Sequence, residues 1–93
     1  MYKILLVDDE ESLAGSLKDN LEIEGHEVMY ASNLQSAKPL LDSFNPHLLL
    51  LDVNFSEGTG FQFYKEIKKT KPTLPVIFLS ARTNELDVVL GLN

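Results

Sequence analysis

Three aspartates stand where apolar runs end. Asp8 and Asp9 follow "ILLV" at 4–7, and Asp52 follows "LLLL" at 48–51. Carboxylates do two kinds of chemistry that suit such a setting. Their oxygens bind hard divalent cations, and a well-placed one attacks an electrophile such as a phosphoryl group. Gathered together, three of them need a cation or a raised pKa, because two like charges ~4 Å apart repel by about 4 kcal/mol at an effective dielectric near 20. Mg²⁺ suits carboxylate oxygens and water, and it keeps positions open for phosphate oxygens. The pattern therefore points to aspartyl-phosphate chemistry at Asp52, held at the rim of a core by the leucines before it. The plain alternatives are that Asp8 and Asp9 begin a helix, as acids often do, and that Asp52 is a turn residue.

A parallel sheet would bring the three together. The runs "ILLV", "LLLL" and "VIFL" at 76–79 are strand-length and too short for buried helices. They do not alternate with polar residues, as in central strands covered on both faces. "HEVMYAS" at 26–32 does alternate, with Val28 and Tyr30 on one side and Glu27 and Met29 on the other, and reads as an edge strand. Helical spacing lies between the runs. Leu13, Leu17 and Leu21, with Ala14, mark a helix over 11–24 that Gly25 stops. Leu34, Ala37, Leu40, Leu41 and Phe44 mark a second over 33–44. Pro39 interrupts that stripe. It is tolerable if Ser36 caps the helix, and otherwise costs roughly 3 kcal/mol. Phe61, Tyr64 and Ile67 mark a third helix over about 59–70, ended by Pro72. A fourth is expected from Thr83 or Asn84, with Leu86, Val89 and Leu90. The order βαβαβαβα implies an α/β fold with right-handed crossovers. Ligands bind outside the carboxyl ends of such strands. Asp8 and Asp9 end the first strand, Asp52 the third and Ser80 the fourth. If the first and third strands are neighbours, the carboxylates converge.

Composition narrows the rest. The chain has 93 residues, one domain's worth, and 44% are hydrophobic. It has no cysteine, which rules out disulfides and thiolate metal sites and fits a cytoplasmic setting. A net charge of −6 makes it a poor binder of nucleic acid by itself. The N-terminus lacks a signal-peptide pattern, and no stretch approaches the ~20 apolar residues of a membrane span. His26 and His47 each precede a strand and read as surface or loop residues rather than ligands. Glu10 and Glu11 read as solvated acids of a first helical turn, and "KEIKK" at 65–69 as a solvated helix face. Phe61, Phe63 and Tyr64 read as core.

With "ILLVDDE" at 4–10, "LLLLDVNFSEGTG" at 48–60 and "PVIFLSAR" at 75–82, the chain resembles the receiver domain of two-component response regulators over its whole length. The resemblance implies a flavodoxin-like parallel sheet with helices on both faces, in the strand order 2-1-3-4-5. It implies that Asp52 is the phospho-acceptor, Asp9 a direct Mg²⁺ ligand, Asp8 a helper through water, and the Asn54 backbone carbonyl a further ligand. Ser80 takes the position that hydrogen-bonds the phosphoryl group, and small Ala81 leaves that group room. The implied partner is a sensor histidine kinase. The "LSAR" ending resembles receivers joined to winged-helix DNA-binding domains, so the parent protein is expected to carry such an effector. A receiver is not an enzyme beyond self-phosphorylation from small donors and autodephosphorylation.

The chain departs from the pattern twice. Ser56 stands where the family usually has proline, four residues after the acceptor. Residues 1–93 are also short of the about 120 that receivers have. The expectation is a receiver lacking its fifth strand, that strand's terminal lysine and its fifth helix. Lys65, Lys68, Lys69 and Lys71 lie on or just after the third helix and cannot replace the lysine. Two further expectations follow: inefficient phosphorylation, and a homo-oligomer formed through the fourth-strand edge, Val76 to Leu79. The rival function is a phosphorylation-inert receiver fragment acting in protein interaction. A haloacid-dehalogenase-type phosphatase is disfavoured because Asn54 stands where a second Asp is needed. A dinucleotide-binding domain is disfavoured because no G-x-G-x-x-G follows the first strand.

Overall fold

The computed structural model describes residues 1–55 and 58–79, with the backbone alone at 54, 55, 58 and 59. Its elements are β1 (Lys3–Val7), α1 (Glu11–Ile23), β2 (Glu27–Ala31), α2 (Leu34–Ser43), β3 (Leu48–Asp52), β4 (Asn54–Phe55), β5 (Gly58–Thr59), α3 (Gly60–Thr70) and β6 (Val76–Leu79). The expected fourth helix, together with Ser80 and Ala81, lies outside the described residues. Four strands form one parallel sheet in the order β2-β1-β3-β6. Strands β1 and β3 are therefore neighbours, the condition on which the convergence of the carboxylates depended. The alternating strand, β2, is at the edge as expected.

The unbroken apolar runs divide by parity, because successive strand side chains point to opposite faces. Leu5 and Val7 of β1, Leu49 and Leu51 of β3, and Val76 and Phe78 of β6 pack with α2 and α3 residues such as Leu41, Phe63 and Ile67. Ile4, Leu6 and Leu50 face the other way and pack with Ala14 of α1 and Val28 of β2. A run that is apolar at every position is thus a strand with a core on each side. Phe61, Phe63 and Tyr64 join the first core, as expected, with Phe61 tilted against Phe78 and Tyr64 edge-on to it, at 4.7 and 5.3 Å between ring centroids.

Gly25 ends α1 as its position predicted. It takes φ of +97°, its N–H donates to the Glu22 carbonyl, and the His26 N–H donates to that of Leu21. These paired bonds close a helix through a left-handed residue, which glycine adopts without a Cβ clash.

Three local expectations need correction. Asn33, not Ser36, caps α2: its side chain accepts the Ser36 N–H at 2.7 Å. Pro39 is then the sixth residue of α2, beyond the turn where a missing N–H is harmless, yet the helix continues to Ser43. Burial of Ala37, Leu41 and Phe44 along the same stripe holds it together. Second, Leu13 does not reach the core with Leu17 and Leu21. It is 48% exposed, because it faces a cleft between α1 and β6. Third, "KEIKK" is not wholly a solvated face. The Lys68 ammonium donates to the Leu74 carbonyl at 2.8 Å and lies over the Tyr64 ring, tying α3 to the loop before β6.

Candidate functional site

Register puts the acids together. Val7 pairs with both Ala31 and Leu51 across β1, so the next residues, Asp8 and Asp52, stand level at the carboxyl ends of adjacent strands. Adjacent strands lie about 4.8 Å apart. Asp8 and Asp52 also share the parity of Ile4, Leu6, Leu48 and Leu50, and so the α1 side of the sheet. Asp9 follows in the turn. Each of the three offers one carboxylate oxygen, and these oxygens lie within 4.8 Å of one another.

The three environments differ. Asp8 is only 4% exposed, Asp52 is half-buried and Asp9 is exposed. Burial pushes the Asp8 carboxyl above its ordinary range; the Glu10 backbone N–H pulls it back, and the charges of Asp9 and Glu10 push it further up. Asp8 is tied at every polar group. Its N–H donates to the Ala31 carbonyl at 3.1 Å, and its Oδ1 accepts the Glu10 N–H at 2.9 Å. Its carbonyl accepts the Tyr30 hydroxyl at 2.6 Å. Asp8 therefore does not cap α1. Glu10 stands at that cap position, with no side-chain bond to the helix.

Two site residues escaped the sequence reading. Tyr30 is one; it had been read only as a strand residue facing the same way as Val28. Burial, and the charges of Glu11, Asp8 and Asp9, raise its phenol above the ordinary value. Gly60 is the other. A Cβ there would strike the Asp52 carbonyl, and the Gly60 N–H donates to the Val53 carbonyl at 2.7 Å. The start of α3 thus packs directly on the backbone that carries Asp52. A glycine opening a helix just after an acidic strand end was the available signal.

The segment after Asp52 is a small hairpin, β4 and β5, with Asn54 opposite Thr59 and Phe55 opposite Gly58. Asn54 thus begins two residues beyond Asp52. Beside the acids lies a cleft of about 490 Å³, with Leu13, Leu17, Ile77 and Leu79 along it and Asp8 and Asp52 at its edge. His26 and His47 lie at the opposite end of the sheet. Their Nδ1 atoms accept the N–H groups of Tyr2 and Lys3 at 3.2 and 2.9 Å, a structural role in keeping with the sequence reading.

An all-oxygen donor set of this spacing suits a hard divalent cation, with one carboxylate shielded from water and another accessible. Asp52, half-buried at a strand end, keeps part of its side chain open to solvent.

Comparison with known proteins gives four findings. The family model described as the response regulator receiver domain matches residues 4–93. The transcriptional regulatory protein CpxR of Klebsiella pneumoniae is 48% identical over 92 residues, which span 99% of this chain and 39% of that relative's length. The response regulator TrrA of Thermotoga maritima, solved in complex with Mg²⁺-BeF, superposes with a TM-score of 0.86 at 30% identity, covering 100% of this chain and 83% of that one. TrrA solved in complex with the histidine kinase ThkA superposes with a TM-score of 0.84 at 30% identity, covering 100% and 82%.

Proposed function

Because this chain belongs to the response regulator receiver family, we propose that it is a phospho-acceptor module that takes a phosphoryl group from a sensor histidine kinase onto Asp52. Receiver domains of response regulators are regulatory rather than classical enzymes. The observation that carries the reading is the convergence of Asp8, Asp9 and Asp52 within 4.8 Å at the carboxyl ends of β1 and β3.

Asp8, Asp9 and Asp52 would hold Mg²⁺, with the Asn54 backbone carbonyl as a further ligand. When bound, the ion supplies positive charge against the phosphoryl oxygens. An Asp52 carboxylate oxygen forms the bond to phosphorus as the donor's bond to phosphorus breaks, and the leaving imidazole of a kinase keeps the electron pair and takes a proton. Rigid burial of Leu49 and Leu51 keeps Asp52 from retreating. Ser80 would hydrogen-bond the new phosphoryl group, and Ala81 would leave it space.

The reading extends to partners. TrrA was solved with a histidine kinase, which supports a kinase as the donor here. The chain spans 39% of the length of CpxR, a transcriptional regulatory protein, which supports a DNA-binding effector in the longer protein. Among the described residues no strand pairs with the outer edge of β6, so self-association through Val76–Leu79 belongs to the same reading. No helix among the described residues is long and apolar enough to cross a membrane; the likeness to a transcriptional regulatory protein is what supports a cytoplasmic setting. The rival of a phosphorylation-inert fragment is not favoured, since the acceptor and its acidic neighbours are all present.

The test is phosphoryl uptake from a small donor such as acetyl phosphate, with Mg²⁺ and with chelator. Mg²⁺-dependent uptake that Asp52→Asn abolishes is expected. Uptake that persists in Asp52→Asn, or none in the wild type, would defeat the assignment.

A further inference from the structure

We infer that Tyr30 is a positioning residue for the cation site: its hydroxyl fixes the Asp8–Asp9 peptide and so aims both carboxylates. The inference rests on the reading of the acids as an Mg²⁺ site.

Tyr30 pairs in register with Leu6, two residues before Asp8. Two residues of strand cover about 6.6 Å. That is a long reach for a side chain, and one a rigid phenol makes. The ring packs against the core on the α1 side, which fixes its direction, and the hydroxyl meets the Asp8 carbonyl at 2.6 Å. The neighbouring residue, Ala31, accepts the Asp8 N–H at 3.1 Å. The edge strand β2 thus grips Asp8 at both backbone polar groups, while the Glu10 N–H grips its side chain.

A peptide group is planar. Holding its carbonyl fixes the torsion leaving Asp8 and the torsion entering Asp9. These set the directions in which the two side chains depart. Asp9 is exposed and lies in the turn that follows Asp8, so its aim depends on the peptide before it. Without the hydroxyl, the carbonyl of a residue only 4% exposed loses this bond. The peptide would then turn toward another donor. Partners that orient metal ligands typically matter by 10- to 100-fold in affinity. Tyr30 acts on ligand backbone rather than on a ligand atom, so a loss of about 3- to 10-fold is expected.

The experiment is an Mg²⁺ titration of the 93-residue chain and of Tyr30→Phe, followed by amide NMR shifts, with thermal stability in chelator measured beside it. Phenylalanine keeps the ring packing and removes only the hydroxyl. Weaker Mg²⁺ binding by about 3- to 10-fold in Tyr30→Phe is the expected result. A control such as Leu21→Ala should lower stability and leave the Mg²⁺ midpoint unchanged, which separates positioning from general destabilisation. Equal midpoints for wild type and Tyr30→Phe would overturn the inference while leaving the proposed function intact. Absence of any wild-type response would overturn the site reading and the inference with it. A measurement on the wild type needs no variant: the Tyr30 ring carbon that bears the hydroxyl should shift with the Asp9 amide midpoint, while those of Tyr2 and Tyr64 stay put. An unmoved Tyr30 resonance alongside a responsive Asp9 would also overturn it.

Discussion

Replacing Asp52 by asparagine should stabilise the metal-free protein. The carboxylates of Asp8 and Asp52 each offer an oxygen within 4.8 Å of the other. At that distance two unit charges repel by about 3.5 kcal/mol at an effective dielectric near 20. Asp52 is only partly buried, so solvent screens part of that repulsion. A net gain of about 1–2 kcal/mol is therefore the reasonable share of that repulsion. The asparagine amide can donate to the Asp8 carboxylate, so the side-chain hydrogen bond between the two positions is kept without the second charge. For a domain of this size, the gain corresponds to a rise of roughly 5–15 °C in Tm. Mg²⁺ should act in the opposite sense. Ion at ten times its Kd stabilises the wild type by about 1.4 kcal/mol through mass action, and Asp52→Asn should gain much less. The assay is thermal unfolding by circular dichroism, each protein once in chelator and once in Mg²⁺. The reasoning is refuted if Asp52→Asn melts below the wild type in chelator, or if both proteins gain equally from Mg²⁺.

Gly60→Ala should cost about 1–3 kcal/mol in denaturant unfolding, since the added Cβ meets the Asp52 carbonyl and the neighbouring backbone must shift. It should also slow phosphoryl uptake, because that backbone carries Asp52, the proposed acceptor. Pro39→Ala should stabilise the protein by about 1 kcal/mol or more, because it restores a hydrogen bond that α2 lacks at its sixth residue; a loss of stability would show that the ring is needed for packing. Light scattering across a concentration series should show self-association through the β6 edge, and a charge placed there by Ile77→Lys should reduce it. A folded wild-type monomer at high micromolar concentration would dismiss that contact.

Much of this architecture was legible because it rests on simple periodicities. "ILLV", "LLLL" and "VIFL" read as covered strands since each face of the sheet has its own core. The acids were legible as strand ends, but their convergence required β1 beside β3, and register is a property of the folded sheet. The signals that failed were local competitions. Asn33 and Ser36 are both good caps, and the sequence alone did not say which would accept the bond. The strands β4 and β5 have two residues each, too few to carry a period. Tyr30 looked like any edge-strand aromatic, because its hydroxyl finds its partner 22 residues away in the chain. Lys68 looked solvated since its carbonyl partner lies beyond the end of its helix.

The central claim is that Asp52 carries the phosphoryl group. The direct measurement is to treat the protein with acetyl phosphate and Mg²⁺, reduce the acyl phosphate with borohydride, and locate the product by peptide mass spectrometry. Reduction converts a phosphorylated aspartate to homoserine. Homoserine at position 52, absent when chelator replaces Mg²⁺, is the predicted result. Homoserine at Asp8 or Asp9 with position 52 unmodified would contradict the account.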